Sequence, residues 1–125
     1  MKILSVDDST TMRRIIGRVV GMLGYDFAEA SNGVEALDLL ARDHADIALV
    51  IMDINMPEMD GITCLQSIKA DPALQALPVM MVTTESDRAR VIQAVQAGAA
   101  NYVTKPFSHD DLVAKIASTL GSDEF

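Results

Sequence analysis

The sequence has no tryptophan, one cysteine and few aromatic residues, and acidic residues outnumber basic ones 18 to 10. Each shortage excludes something. With aromatics at 4% of 125 residues and apolar residues at 50%, the core must be built from Val, Ile, Leu, Ala and Met. The eight methionines read as gap-fillers within it. Cys64 alone cannot close an internal disulfide, and no Cys/His cluster has zinc spacing; it reads as a small apolar residue on a helix. A net charge of −8 repels nucleic acid and anionic lipid, so neither is an expected partner. No apolar stretch is long enough to span a bilayer. The short run after Met1-Lys2 meets Asp7-Asp8 too soon for a signal peptide. The expected location is the cytosol.

The length suits one domain, expected over residues 1–121, with a short acidic tail at 122–125. Apolar periodicity alternates along it. Ile3–Val6 is a short strand-like run, and Met12, Ile15, Ile16, Val19, Val20 and Leu23 then recur at helical spacing before Gly24. Asp26–Ala30 is weakly strand-like, and Leu37, Leu40 and Ala41 mark a second helix. Ile47–Met52 is almost unbroken apolar sequence, as expected of a strand covered on both faces. After the Pro57–Gly61 loop, Ile62, Leu65 and Ile68 give a third helix that closes before Pro72. Val79–Val82 is another buried-strand run. Val91, Ile92 and Val95 are expected to face inward from a fourth helix ending at Gly98. Ala100–Val103 is β-like, and Ser108 with Asp111 has the form of a capping box opening a last helix through Leu112, Val113, Ile116 and Leu120. Five strands alternating with five helices imply a parallel sheet between helical layers, joined by right-handed crossovers.

On that frame Asp7 and Asp8 follow strand one, Asp53 follows strand three, Thr83 ends strand four and Lys105 follows strand five. A parallel sheet brings all of them to its carboxyl edge, where doubly wound folds bind ligands. Alone, Asp7-Asp8 would read as helix capping, Asp53 as a turn residue, Thr83 as a strand residue and Lys105 as a solvated charge. Their coincidence at matched strand ends favours a joint site. Three clustered carboxylates repel one another unless a cation sits among them. A hard ion such as Mg²⁺ suits them, taking one or two carboxylates, waters and a phosphate oxygen. Lys105 supplies a point charge for phosphate oxygens and Thr83 a hydroxyl. Such an ensemble suits phosphoryl binding or transfer, with a carboxylate as the possible acceptor.

The segments Val6-Asp7-Asp8-Ser9, Thr11-Met12-Arg13-Arg14-Ile15, Met52-Asp53-Ile54-Asn55-Met56-Pro57-Glu58-Met59-Asp60-Gly61, Pro78–Thr83, Gln96–Ala99 and Tyr102–Phe107 follow one another in order. In them the chain resembles the receiver domains of bacterial response regulators over nearly its whole length, most closely the chemotaxis branch. The resemblance implies a flavodoxin-like (βα)5 fold of strand order 2-1-3-4-5, with Asp53 as phosphoacceptor. It implies Mg²⁺ held by Asp8, Asp53 and the Asn55 backbone carbonyl, with Asp7 acting through metal-bound water. Lys105, before a cis Pro106, would meet the phosphoryl oxygens. Thr83 would move toward them and Tyr102 would turn inward, changing how the face of helix four, strand five and helix five binds partners.

By the same resemblance the chain catalyses only its own phosphorylation and dephosphorylation, with Asn55 and Glu85 tuning hydrolysis. Its implied partners are a chemotaxis-type sensor histidine kinase, the flagellar motor switch and a phosphatase, with the chain a monomer or a weak phosphorylation-dependent dimer. Two positions depart from the pattern. Ile54 replaces a tryptophan of the enteric chemotaxis members. Thr84 stands where Ala or Gly is usual, and its bulk is expected to narrow access to the acyl phosphate or restrict Tyr102. The cluster Arg13, Arg14 and Arg18 reads equally as a solvated helix face or a kinase contact, and His44 and His109 carry no role. Two rivals are weaker. An aspartyl-phosphate hydrolase would place an acid where Asn55 stands and needs a cap domain. A flavin module would not put Asp7-Asp8 against a phosphate.

Overall fold

The longest apolar run of the sequence becomes the middle strand of a five-stranded sheet. The computed structural model describes residues 1–84 and 87–121. In chain order the elements are β1 (Lys2–Val6), α1 (Thr10–Met22), β2 (Asp26–Ala30), α2 (Gly33–Asp43), β3 (Ile47–Asp53), α3 (Gly61–Ala70), β4 (Val79–Thr84), α4 (Arg88–Gln96), β5 (Asn101–Lys105) and α5 (His109–Gly121). A single turn of 3-10 helix, His44–Asp46, leads into β3. The strands lie in the order β2-β1-β3-β4-β5, all parallel. That is the expected doubly wound topology.

Side chains alternate across the pleat and fill two apolar layers. Ile3, Leu49, Ile51, Met80 and Val82 face one layer, which α1 closes with Ile16, Val19 and Val20 and α5 with Leu112 and Ile116. Leu4, Val6, Val50, Met52 and Met81 face the other, with Ala36 and Leu40 of α2, Leu65 and Ile68 of α3 and Ala94 of α4. Met52, Met80 and Met81 are completely buried and fill the core as expected, whereas Met1 and Met22 depart from that expectation at 65% and 70% exposed. Cys64 is also fully buried, and burial pushes its thiol up to about 12. It is chemically quiet.

Most helix starts are anchored by side chains. Ser9, Asn32 and Asp60 each accept a backbone N–H of the first turn of α1, α2 and α3. Ser108 and Asp111 form the reciprocal capping box at 3.0 Å in both directions. Gly24 and Gly98 take positive φ, 86° and 106°, just past α1 and α4, the left-handed stop that glycine adopts freely.

Helix α4 corrects the sequence reading. Ala94 is its one buried residue, whereas Ile92 and Val95 are 58% and 56% exposed and Val91 is only half-buried. Positions 91, 92 and 95 do form one helical face. Periodicity identifies a face but not its direction, and here the small Ala94 packs inward while the branched residues meet solvent. In α2 the buried residues are Gly33, Ala36 and Leu40, whereas Ala41 is exposed.

Candidate functional site

The register explains why distant residues meet. Val6 pairs with Met52, so Asp7 lies level with Asp53, and Asp53 pairs with Val82, the residue before Thr83. On the far side Thr84 pairs with Lys105. Carboxylate oxygens of Asp7, Asp8 and Asp53 lie within 4.8 Å of one another. Asp7 and Asp53 are 1% and 6% exposed and Asp8 is open to solvent. Lys105 Nζ stands 3.5 Å from Asp53 Oδ2 and 3.8 Å from Asp7 Oδ2. Thr83 is buried at the adjoining strand end. The peptide between Lys105 and Pro106 is cis.

Burial raises the carboxyl pKa of Asp53, and the neighbouring Asp7 charge raises it further, against the pull of Lys105. Asp7 is raised in the same way, chiefly by burial, with the Ser9 N–H and Lys105 opposing. One ammonium does not neutralise three carboxylates. Asp7 Oδ1 accepts the Ser9 N–H at 2.9 Å, while Asp7 Oδ2 is buried with no hydrogen-bond partner among the described residues. An all-oxygen donor set, an orphaned buried oxygen and one solvent-open carboxylate fit a hard divalent cation that keeps part of its water.

The loop after β3 is shaped by Gly61. A Cβ there would overlap the Asp53 carbonyl oxygen and come within 2.9 Å of the Ile54 Cα. The Gly61 N–H instead donates to the Ile54 carbonyl at 2.8 Å, and the Asn55 N–H approaches Asp53 Oδ1 at 3.4 Å. Ile54 is fully buried beneath the site and Asn55 is exposed.

Tyr102 faces outward, 38% exposed, with Lys115 Nζ 5.3 Å from its ring centre. It lines a cleft of about 550 Å³ with Thr84, Arg88, Val91, Ile92 and Thr104. Glu85 and the 122–125 tail lie outside the described residues.

Two contributors were not legible as such. Gly61 reads as loop punctuation, although its place beside the Asp60 cap, eight residues after Asp53, is a usable signal. Arg13 is not a solvated charge like Arg14 and Arg18, which are exposed. Its side chain is 14% exposed and bridges to Glu29 at 2.8 Å, a contact that depends on the weakly signalled strand β2.

Comparison with known proteins gives a matching pattern. The family model described as "Response regulator receiver domain" matches residues 3–117. A chemotaxis protein CheY homolog of Campylobacter jejuni is 46% identical over 98% of this chain and 94% of its own. Chemotaxis protein CheY1 of Helicobacter pylori strain J99 is 45% identical over 99% and 100%. Among solved structures, chemotaxis protein CheY4 of Vibrio cholerae superposes with a TM-score of 0.86 at 28% identity, covering 95% of this chain and 98% of that one.

Proposed function

The chain belongs to the response-regulator receiver domain family, a CheY-like component of two-component signalling, and from that premise we propose that Asp53 accepts a phosphoryl group from a phosphohistidine in a chemotaxis pathway. One observation carries the reading: a buried, charge-frustrated Asp53 carboxylate faces Lys105 beside two further carboxylates at the open edge of the sheet. An Asp53 carboxylate oxygen attacks phosphorus, the P–N bond to the donor imidazole breaks, and the electron pair stays on the imidazole nitrogen. The product is an acyl phosphate. Lys105 neutralises the phosphoryl oxygens and Thr83 offers them its hydroxyl proton. Asp8, Asp53 and the Asn55 carbonyl would hold Mg²⁺, with Asp7 engaging through metal-bound water. The ion supplies charge neutralisation between the carboxylates and the incoming phosphoryl group.

The partner set in this reading is a sensor histidine kinase, a phosphatase and the flagellar motor switch, all met in the cytosol. The response is a shift of Thr83 and Tyr102 that alters the α4-β5-α5 face, whose exposed Ile92, Val95 and Tyr102 suit a partner-dependent surface. The chain is a monomer or a weak phosphorylation-dependent dimer. A role as phosphate sink, as phosphorelay intermediate or as the receiver of a longer regulator uses the same chemistry with a different recipient. Asn55 and Glu85 tune hydrolysis of the acyl phosphate.

Intact-mass analysis after incubation with Mg²⁺ and acetyl phosphate or phosphoramidate tests the proposal. Wild type should gain one labile, Mg²⁺-dependent phosphoryl group. A folded wild type that gains none from donors shown to be active would leave a phosphorylation-independent binding module. Thr84 is exposed at the lip of the cleft beside the site. Thr84→Ala is therefore expected to open the acyl phosphate to water and shorten its lifetime about threefold, a barrier change of under ~1 kcal/mol. An unchanged decay rate of the adduct would refute this.

A further inference from the structure

We propose that Arg13 is a positioning residue for the metal-binding acidic pair, acting through the peptide that joins Asp7 to Asp8. All three guanidinium nitrogens are engaged. Nη1 donates to the Asp7 carbonyl, Nε to Glu29 Oε1 at 2.8 Å and Nη2 to Thr10 Oγ1 at 3.3 Å. The Asp7 N–H donates to the Ala30 carbonyl at 3.1 Å. Residue 7 is therefore tied to β2 on both sides, directly through its amide and through Arg13 and Glu29 at its carbonyl.

The consequence is directional. The Asp7 carbonyl shares a rigid plane with the Asp8 N–H, so fixing the carbonyl fixes the line along which Asp8 leaves the strand. With Asp7 Oδ1 taken by the Ser9 N–H, the clamp leaves Asp7 Oδ2 as the unbonded oxygen facing Lys105. A fork of donors suits this task, because a lysine in the same place makes one point contact instead of three.

Charge and position make opposite predictions. Arg13 is a cation close to a site that suits a dication, so Coulomb repulsion alone means that deleting it strengthens Mg²⁺ binding. A positioning role means that deleting it weakens binding, by the roughly tenfold or more typical when the residues orienting metal ligands are lost.

The inference rests on the receiver reading, and one calorimetric series separates the two. Mg²⁺ is titrated at fixed ionic strength, well below the melting temperature, into wild type, Arg13→Gln and Arg13→Lys. Wild type should bind, Arg13→Gln should bind about tenfold more weakly, and Arg13→Lys, which keeps the charge but not the fork, should also fall below wild type. A wild type that binds no Mg²⁺ overturns the receiver reading itself. A wild type that binds, with Arg13→Gln equal or tighter, overturns the positioning role alone. Should Arg13→Gln fail to fold by circular dichroism, Arg13→Lys decides, since wild-type affinity there assigns Arg13 to charge only.

Discussion

Asp53→Asn is expected to abolish the phosphoryl adduct and, in metal-free buffer, to raise the melting temperature by roughly 3–6 °C. The first effect is chemical, because an amide offers no anionic oxygen to phosphorus. The second follows from the site's electrostatics. Asp53 is 6% exposed, and burial followed by the Asp7 charge raises its carboxyl pKa despite Lys105 at 3.5 Å. Burial and repulsion thus outweigh the ion pair, and a neutral side chain of the same shape relieves them. The gain is about 1 kcal/mol, the size of an ordinary substitution but of unusual sign. Mass spectrometry reads the first effect and calorimetry the second. A variant that melts lower than wild type would show that the Lys105 pair, not the repulsion, dominates.

The pH dependence has the matching sign. Raised pKa values at Asp7 and Asp53 mean that the folded, metal-free protein holds these protons more tightly than the unfolded chain does. The penalty for ionising them is fully present above the raised values and disappears as pH falls below the ordinary carboxylate value. Mild acidification therefore favours the fold through these two groups. Mg²⁺ requires them ionised, so the rise in melting temperature that it produces should shrink from neutral to mildly acidic buffer. A rise independent of pH would place the bound ion elsewhere.

Gly61→Ala is expected to cost about 3 kcal/mol or more and to slow phosphorylation sharply. The added Cβ would run into the Asp53 carbonyl oxygen, which is backbone at a sheet end and has no flexible way to yield. Overpacking of this kind costs ~1–3 kcal/mol even against side chains. Alanine's helix preference returns at most ~1 kcal/mol, so the clash decides the sign. Any relief must move the backbone that carries Asp53. Gly21→Ala in α1 is the control: among the described residues nothing lies within 4 Å of its added Cβ, so it should stabilise by ~0.5–1 kcal/mol. Equal melting temperatures for the two variants would defeat the argument.

These residues also mark how far the sequence could be read. The unbroken runs Ile47–Met52 and Val79–Val82 announce buried strands, and alternation with helices then dictates a parallel sheet. Once that is granted, Asp7, Asp53, Thr83 and Lys105 fall at one edge without further assumption. The α4 face runs against expectation because spacing of 3.6 records only that Val91, Ile92 and Val95 share a side, not whether that side meets core or solvent. Arg13 was missed for a different reason. Its partners are a main-chain carbonyl six residues back and a carboxylate on β2, and no local pattern encodes a three-point bond across elements. The hazard at Gly61 likewise exists only once the loop has folded back on Asp53.

Helix α4 spans nine residues, buries Ala94 alone, and has no side-chain hydrogen bond from its N-cap residue Asp87. By contrast α1, α2 and α3 start from side-chain caps, and each buries three or more residues. Local opening free energy follows buried contact and satisfied helix ends, so among the described helices α4 is the least expensive to displace. Its outward Ile92 and Val95 then read as stabilisation withheld from the isolated domain. A second protein that covers them can return it, and the size of that return sets how strongly binding and helix position can be coupled.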